Sequence, residues 1–321
     1  MYSFTDLAKA FEDRFISSLP FAPSPANLYD PCRYLLQLGG KRIRPVLCLM
    51  ASELFDEIGD DAWHAAFAVE LFHNFTLIHD DIMDKAPLRR GQPTVHAKYG
   101  LTAGILCGDV MNTHAYDQLS NIKRSLPQIL KVFNRTGIEV CEGQQLDMDF
   151  ESRNDVHIDE YIHMITLKTS VLLACSLKMG AIAGGALGDN ANKLYAFGIN
   201  MGVAFQLQDD YLDAFGDPEK LGKLNGGDII ANKKTYLVLK ALENADPVQR
   251  KEIEVLLQQE GANKVEAMIG LFKATGADAA CRSVAADYSK KAFACLEDVA
   301  VPSKRKQPLM ELANYLLMRD K

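Results

Sequence analysis

Apolar residues recur at helical spacing along almost the whole chain, and the strict apolar/polar alternation of a half-buried strand, bounded by Asn-Gly or Asp-Gly turns, is essentially missing. The pattern predicts an all-α fold. Breaks are expected at Pro20 to Pro25, Gly39-Gly40, Pro87 to Pro93, Tyr99-Gly100, Ser152 to Asp155, Gly184 to Asn190, and Phe215 to Asp228. The segments between them are long enough for helices of several turns. No break is a long Pro/Ser/Gly-rich linker and composition does not shift across any of them, so a single domain over residues 1–321 is expected. From about Thr235 onward, Leu and Ala alternate with Lys and Glu at helical spacing without evident chemistry, and packing is the expected role there.

Composition narrows the class. With 321 residues, 48% of them apolar and 24% charged, the chain can bury a large core. A formal net charge of −7 speaks against a nucleic-acid surface, which needs clustered Lys and Arg. Cys32, Cys48, Cys107, Cys141, Cys175, Cys281 and Cys295 form no CxxC pair and sit mostly in apolar helical stretches, as reduced, buried thiols in a cytosol would. The N-terminus carries Asp6 early and lacks a basic segment followed by an apolar one, and no window approaches ~18 uninterrupted apolar residues. A cytoplasmic location without a transmembrane segment is the expectation.

Chemistry concentrates in two acidic helix ends. The first is Phe72-His73-Asn74-Phe75-Thr76-Leu77-Ile78-His79-Asp80-Asp81-Ile82-Met83-Asp84. At ~1.5 Å rise and ~100° per residue, Asp80 and Asp84 lie one turn apart on one face, roughly 6 Å along the axis. Near a helix C-terminus two such carboxylates repel each other and oppose the macrodipole, a cost that a cation removes. Mg²⁺ suits the place, as a hard ion that takes carboxylate oxygens, phosphates and water. Arg89 and Arg90 follow at once, with the planar fork that fits phosphate. The acids and bases could instead pair with one another.

The second, Ala204-Phe205-Gln206-Leu207-Gln208-Asp209-Asp210-Tyr211-Leu212-Asp213, repeats the aspartate spacing and is followed by Gly222-Lys223 and Asn232-Lys233-Lys234. Two sites of this kind suit a diphosphate held by metals, where neutralising the leaving group is the main catalytic need. Gly39-Gly40-Lys41-Arg42-Ile43-Arg44-Pro45 brings cations to an expected helix start, which favours anions. Lys168-Thr169 lies mid-helix, where a lysine commonly snorkels to water. Glu142-Gly143-Gln144-Gln145-Leu146-Asp147 reads on its own as polar packing.

Taken in order, GGKRIRP, DDIMD with RRG, GQQLD, KT, and FQLQDDYLD with GK and NK make the chain similar to the trans-isoprenyl diphosphate synthases, the farnesyl and geranylgeranyl diphosphate synthase family of polyprenyl synthetases. The match runs from about Gly39 to Lys233. The resemblance implies a helical bundle around a deep central cavity, usually a homodimer. It implies that Asp80 and Asp84 bind two Mg²⁺ ions and Asp209 a third, with Asp81, Asp210 and Asp213 in support. Arg89, Lys168, Lys223 and Lys233 would contact an allylic diphosphate, while Lys41, Arg44, His73 and Arg90 would hold isopentenyl diphosphate. Thr169 and Gln206, with Lys168, would face the carbocation, Gln206 also touching substrate.

The implied reaction is ionisation of the allylic C–O bond, attack by the isopentenyl double bond, and proton loss to the departing diphosphate. No protein nucleophile is needed, and no Ser/His/Asp or Cys/His arrangement stands out. Product length in this family follows bulky side chains below the first aspartate motif. Phe75, with Thr76 and Phe72, points to a short-chain enzyme, C20 ahead of C15. A class I terpene cyclase, or a non-catalytic subunit of a heteromeric synthase, is the alternative. DDYLD with Gly222-Lys223, and the intact acidic sets, weigh against both.

Overall fold

A computed structural model describes residues 1–217 and 226–317. Helices occupy most of them, as the apolar spacing predicts: α1 Phe4–Ser17, α2 Ala26–Gln37, α3 Ile43–Glu53, α4 Asp60–Met83, α5 Val95–Tyr99, α6 Leu101–Ser120, α7 Leu126–Ser152, α8 Ile158–Ile165, a π-helical turn Thr166–Ser170, α9 Val171–Ala183, and α10 Asn190–Phe215. Then come α11 Gly227–Ile230, α12 Tyr236–Asn244, α13 Pro247–Leu256, α14 Val265–Ala274, α15 Ala277–Glu297 and α16 Ser303–Leu317. Among the described residues the only strands are β1 Leu88–Arg89 and β2 Gln92–Pro93, an antiparallel pair with Arg89 opposite Gln92. The expected breaks up to Asn190 fall between helices, whereas the helix ends at Glu53, Ser120, Asn244, Leu256, Ala274 and Glu297 lie outside them. Part of the last expected break, 218–225, lies outside the described residues.

The chain divides into two compact units, one built from Met1–Asn134, Cys175–Leu194 and Ala300–Leu309, the other from Arg135–Ala174, Tyr195–Val299 and Met310–Lys321. Several of these boundaries fall inside helices, so no linker marks them in the sequence. In the first unit, Ser3 caps α1 by accepting from Asp6 N–H, and Leu7, Phe11 and Phe15 form its buried stripe. Phe11 and Phe15 stack at 5.0 Å between centroids, and Phe67 of α4 meets Phe11 edge-on at 5.5 Å. Each fully buried ring contributes roughly 1.5–3 kcal/mol. Helix α3 is buried from Pro45 through Glu53 and packs on α4, which in turn packs on α6.

Arg42 is a buried tie within this unit. It takes the left-handed conformation (φ 49°) just before α3. Its guanidinium donates to Glu12 of α1 (2.6 Å), Glu70 of α4 (2.5 Å) and the Leu36 carbonyl of α2 (3.0 Å). A charge buried this deeply is tolerable because each face of the fork finds an oxygen.

The second unit has its own core, in which Tyr161 and Ile165 of α8 and Leu207 of α10 meet Leu237, Met268, Leu271, Phe272 and Cys281 from α12, α14 and α15. The C-terminal third thus packs, as its pattern suggests. The stretch Ile158–Ala183 is long and apolar enough to cross a membrane, yet 72% of its most apolar window is buried inside the protein. All seven cysteines are free thiols; five are buried, Cys295 is half-buried, and Cys141 is exposed, contrary to the burial expected of it.

Candidate active site

The first acidic cluster owes its shape to how α4 stops. Asp84 caps the helix and its N–H reaches Asp80 O at 2.9 Å, so the two residues stand one turn apart as their spacing predicts. Lys85 then turns left-handed (φ 51°) and Ala86 N–H closes on Asp81 O at 2.9 Å, which satisfies carbonyls at the helix end. Beyond Pro87, Arg90 and Gly91 both have positive φ (54° and 74°), the pairing a type I′ hairpin turn requires. That hairpin returns Arg89 to the helix end.

Arg89 grips Asp81 with two parallel hydrogen bonds, Nε to Oδ2 at 2.7 Å and Nη2 to Oδ1 at 2.8 Å, and lies 3.7 Å from Asp80 Oδ2. Asp81 is buried, the Asp80 side chain about a quarter exposed at 24%, and Asp84 exposed. Asp84 therefore faces outward, Asp80 does so only in part with its Oδ1 buried, and Asp81 is held by a bidentate fork. Acids and bases do pair here, but through Asp81.

Beside this cluster, still in the first unit, a basic pocket forms. Arg44 Nη1 lies 3.2 Å from His73 Nε2, and the Arg90 guanidinium fills the space that a Gly40 side chain would take. Arg44 Nε is buried with no hydrogen-bond partner among the described residues. Burial lowers the Arg44 guanidinium to about 10, only partly offset by Glu70, so it stays charged at neutral pH. His73 is held well below the usual imidazole value by burial first and then by Arg44, Arg90, Arg89 and Arg42. A neutral imidazole amid arginines, with an unsatisfied N–H alongside, is built to receive an anion. Lys41 is exposed at the rim of the loop before α3.

The second cluster divides differently. Asp209 is exposed, while Asp210 and Asp213 are buried. Tyr161 O–H donates to Asp210 Oδ2 in a short bond, and Gln206 Nε2 donates to Oδ1 at 3.1 Å. Burial, then Asp228 and Asp209, push the Asp210 carboxyl up to about 7 against those two hydrogen bonds. Asp213 Oδ2 accepts from Asp228 N–H at 2.9 Å. Thr169 Oγ1 donates to Gln206 Oε1 at 3.4 Å, and Lys168 Nζ meets Asp147 Oδ2 at 2.6 Å, so this lysine does not simply snorkel to water. Lys233 is half exposed, 3.9 Å from Asp228; Lys223 lies outside the described residues.

Among the described residues no three His, Cys, Asp or Glu side chains converge on one point. Mg²⁺ does not require that, because it takes one or two carboxylates and completes its shell with water and phosphate. Partly exposed Asp80 with exposed Asp84, and exposed Asp209, fit such a donor set. As for chain length, Phe75 is half-buried, meeting His79 edge-on at 4.9 Å and Phe72 at 5.5 Å, and Phe72 continues to Phe133 at 5.1 Å. Thr76 spends its hydroxyl on His73 O at 2.8 Å. Sequence reasoning left out Asp147, Tyr161 and Gly143 as partners of the site. The only signal for Gly143 and Asp147 was their place in the quoted GQQLD motif, and Tyr161 had none.

The profile of the polyprenyl synthetase family matches residues 25–272. A geranylgeranyl diphosphate synthase from Methanosarcina mazei is 38% identical over 312 residues, 96% of this chain and 94% of that protein. A geranylfarnesyl diphosphate synthase from Natronomonas pharaonis is 35% identical over 92% of this chain and 91% of its own. A crystal structure of a geranylgeranyl pyrophosphate synthase superposes with a TM-score of 0.94 at 44% identity, covering both chains fully. With an all-helical fold, both aspartate motifs in helix ends, and a profile match over most of its length, this chain belongs to the polyprenyl synthetase family.

Proposed function

We propose that the chain is a Mg²⁺-dependent trans-prenyltransferase that adds isopentenyl diphosphate to an allylic diphosphate and releases a C20 prenyl diphosphate. The observation that carries this is the contrast among the aspartates: Asp84 and Asp209 are exposed and Asp80 partly so, while Asp81, Asp210 and Asp213 are buried and hydrogen-bonded. Asp80 with Asp84 in the first cluster, and Asp209 in the second, match two ions bound by the first and a third by the second. Mg²⁺ bound there supplies neutralisation of the charge that collects on the departing diphosphate.

The chain's own groups do the rest. Arg89, anchored on Asp81, presents its remaining N–H groups to the allylic diphosphate, with Lys168, Lys223 and Lys233 contributing further charge. Arg44, Arg90, Lys41 and neutral His73 hold isopentenyl diphosphate, and Arg44 Nε gains the acceptor it lacks. Thr169 and Gln206 place their oxygen dipoles toward the allylic carbocation, and the departing diphosphate takes the proton. Phe75 limits the growing tail. The names of the two relatives bracket the length at C20 and C25, and a homodimer is the proposed assembly.

The test is to incubate the purified protein with isopentenyl diphosphate and dimethylallyl, geranyl or farnesyl diphosphate, with Mg²⁺ or with EDTA, and resolve products by length. Metal-dependent elongation to one dominant C20 product is the expected outcome. A cyclised hydrocarbon, or no elongation, would overturn the proposal.

A further inference from the structure

The segment that carries Lys168 and Thr169 is not α-helical where it carries them. Thr166–Ser170 is a π-helical turn in which Val171 N–H bonds to Thr166 O, five residues back. The Ser170 hydroxyl reaches Ile165 O, also five back, at 3.5 Å. A π turn is rare because its bonds and packing are poorer than those of an α-helix, so it persists where its surroundings hold it.

Two glycines hold this one. A Cβ on Gly143 of α7 would fall 2.7 Å from the Leu167 carbonyl carbon and 2.8 Å from Lys168 Cα. A Cβ on Gly202 of α10 would fall 2.6 Å from Ser170 Cβ and 2.7 Å from Ser170 Cα. Both helices thus approach the turn at its backbone. Four residues beyond each glycine, on the same helix face, stands the partner of a functional side chain: Asp147 takes Lys168 Nζ at 2.6 Å, and Gln206 takes Thr169 Oγ1 at 3.4 Å. The two jaws are alike, each a glycine and, one turn on, a polar hook.

We infer that this clamp fixes where Lys168 and Thr169 sit, which makes Gly143, Asp147 and Gly202 positioning residues for the prenyl transfer. The inference rests on the proposed function for what the two side chains do, and on geometry alone for what holds them. A Cβ at Gly143 has no flexible side chain to displace, only backbone, so α7 and the turn must separate. Misplacing reactive groups by an ångström costs about 100-fold in rate.

The variants are Gly143→Ala, Gly202→Ala, Asp147→Asn and Asp147→Glu in the full-length chain. For both alanine variants kcat should fall about 100-fold with the KM for isopentenyl diphosphate unchanged, because Lys41, Arg44, His73 and Arg90 lie on other elements. Asp147→Asn, which adds no bulk and keeps the test open where Gly143→Ala does not fold, should lose about tenfold in kcat, with Asp147→Glu recovering most of it. Hydrogen–deuterium exchange reads the same geometry without turnover: amides of Thr166–Val171 should exchange faster in both alanine variants while those of α3 and α4 stay as in the parent. Should the parent elongate prenyl chains and the variants match it in kcat and exchange, the clamp is wrong and the proposed function stands. Should the parent not elongate, the proposed function fails, and unchanged exchange would sink the clamp independently.

Discussion

Replacing Asp210 with Asn removes a carboxyl of the second cluster whose ionisation opposes folding. Its side chain is 3% exposed, and burial with help from Asp228 and Asp209 raises its carboxyl to about 7, whereas the unfolded chain releases that proton near 4. Below pH 4 both states hold the proton. Between 4 and 7 only the folded state does, so stability falls by about 1.4 kcal/mol per pH unit as pH rises. Above 7 the loss levels off, at a total on the order of 4 kcal/mol. Asn cannot ionise, but one of its two polar atoms is a donor, and it meets either the Tyr161 hydroxyl or the Gln206 amide as a second donor, a mismatch of about 1 kcal/mol. Without metal, D210N should therefore be about as stable as the parent at pH 5 and about 3 kcal/mol more stable at pH 8, several degrees in Tm. Thermal melts in EDTA at the two pH values measure this. A D210N melt below the parent's at pH 8 would refute the account of Asp210 as a buried, destabilising carboxylate, and adding Mg²⁺ with a diphosphate should raise both melts, because Asp80, Asp84 and Asp209 remain in the variant.

Three other outcomes are expected. Phe75→Ala opens the end of the Phe75–Phe72–Phe133 row and should shift the product ladder longer; an unchanged ladder sinks the floor assignment. Arg44→Met should raise the KM for isopentenyl diphosphate roughly ten- to a hundredfold with little change in Tm, while Arg42→Met, two residues away, should strand Glu12 and Glu70 and cost about 3–5 kcal/mol in stability; similar phenotypes for the two would mean their roles are misassigned. Cys32 and Cys107 are both buried with their Sγ atoms 2.9 Å apart, so diamide, which accepts two hydrogens as a disulfide forms, should join these two; mass mapping that finds them still reduced would contradict the contact.

The sequence is legible where the physics is local. The helix ends at Gly39-Gly40, Tyr99-Gly100 and Gly184 to Asn190 follow from local breakers, and the acidic motifs show themselves because Asp80 and Asp84 need only the 3.6-residue period to share a face. The roles of Arg42 and Arg44 are another matter, since identical side chains two positions apart differ by a left-handed φ at Arg42 that turns it inward to Glu70. Nor does Lys168 reveal its partner: Asp147 lies 21 residues earlier, and five residues are too few for periodicity to separate a π turn from an α turn.

The same reasoning explains why each motif carries a doubled aspartate. Successive residues on a helix point about 100° apart, so an Asp-Asp pair on the rim of a packed helix sends one carboxylate outward and the other into the protein. The inward one needs a donor, and each cluster finds a different one: Arg89 for Asp81, brought round by a type I′ hairpin, and Tyr161 for Asp210, brought by α8. The third aspartate then depends on where the helix stops. Asp84 is itself the cap of α4 and is exposed, whereas α10 continues past Asp213 to Phe215, leaving that carboxylate inside to receive the Asp228 N–H. One spacing, read on two helices of different reach, thus leaves one aspartate exposed and one partly exposed in the first case, and a single one exposed in the other. Extending α4 by a helical residue in place of left-handed Lys85 should draw Asp84 toward the buried state of Asp213, and a weakened Mg²⁺ response in that variant alone is the result this geometry requires.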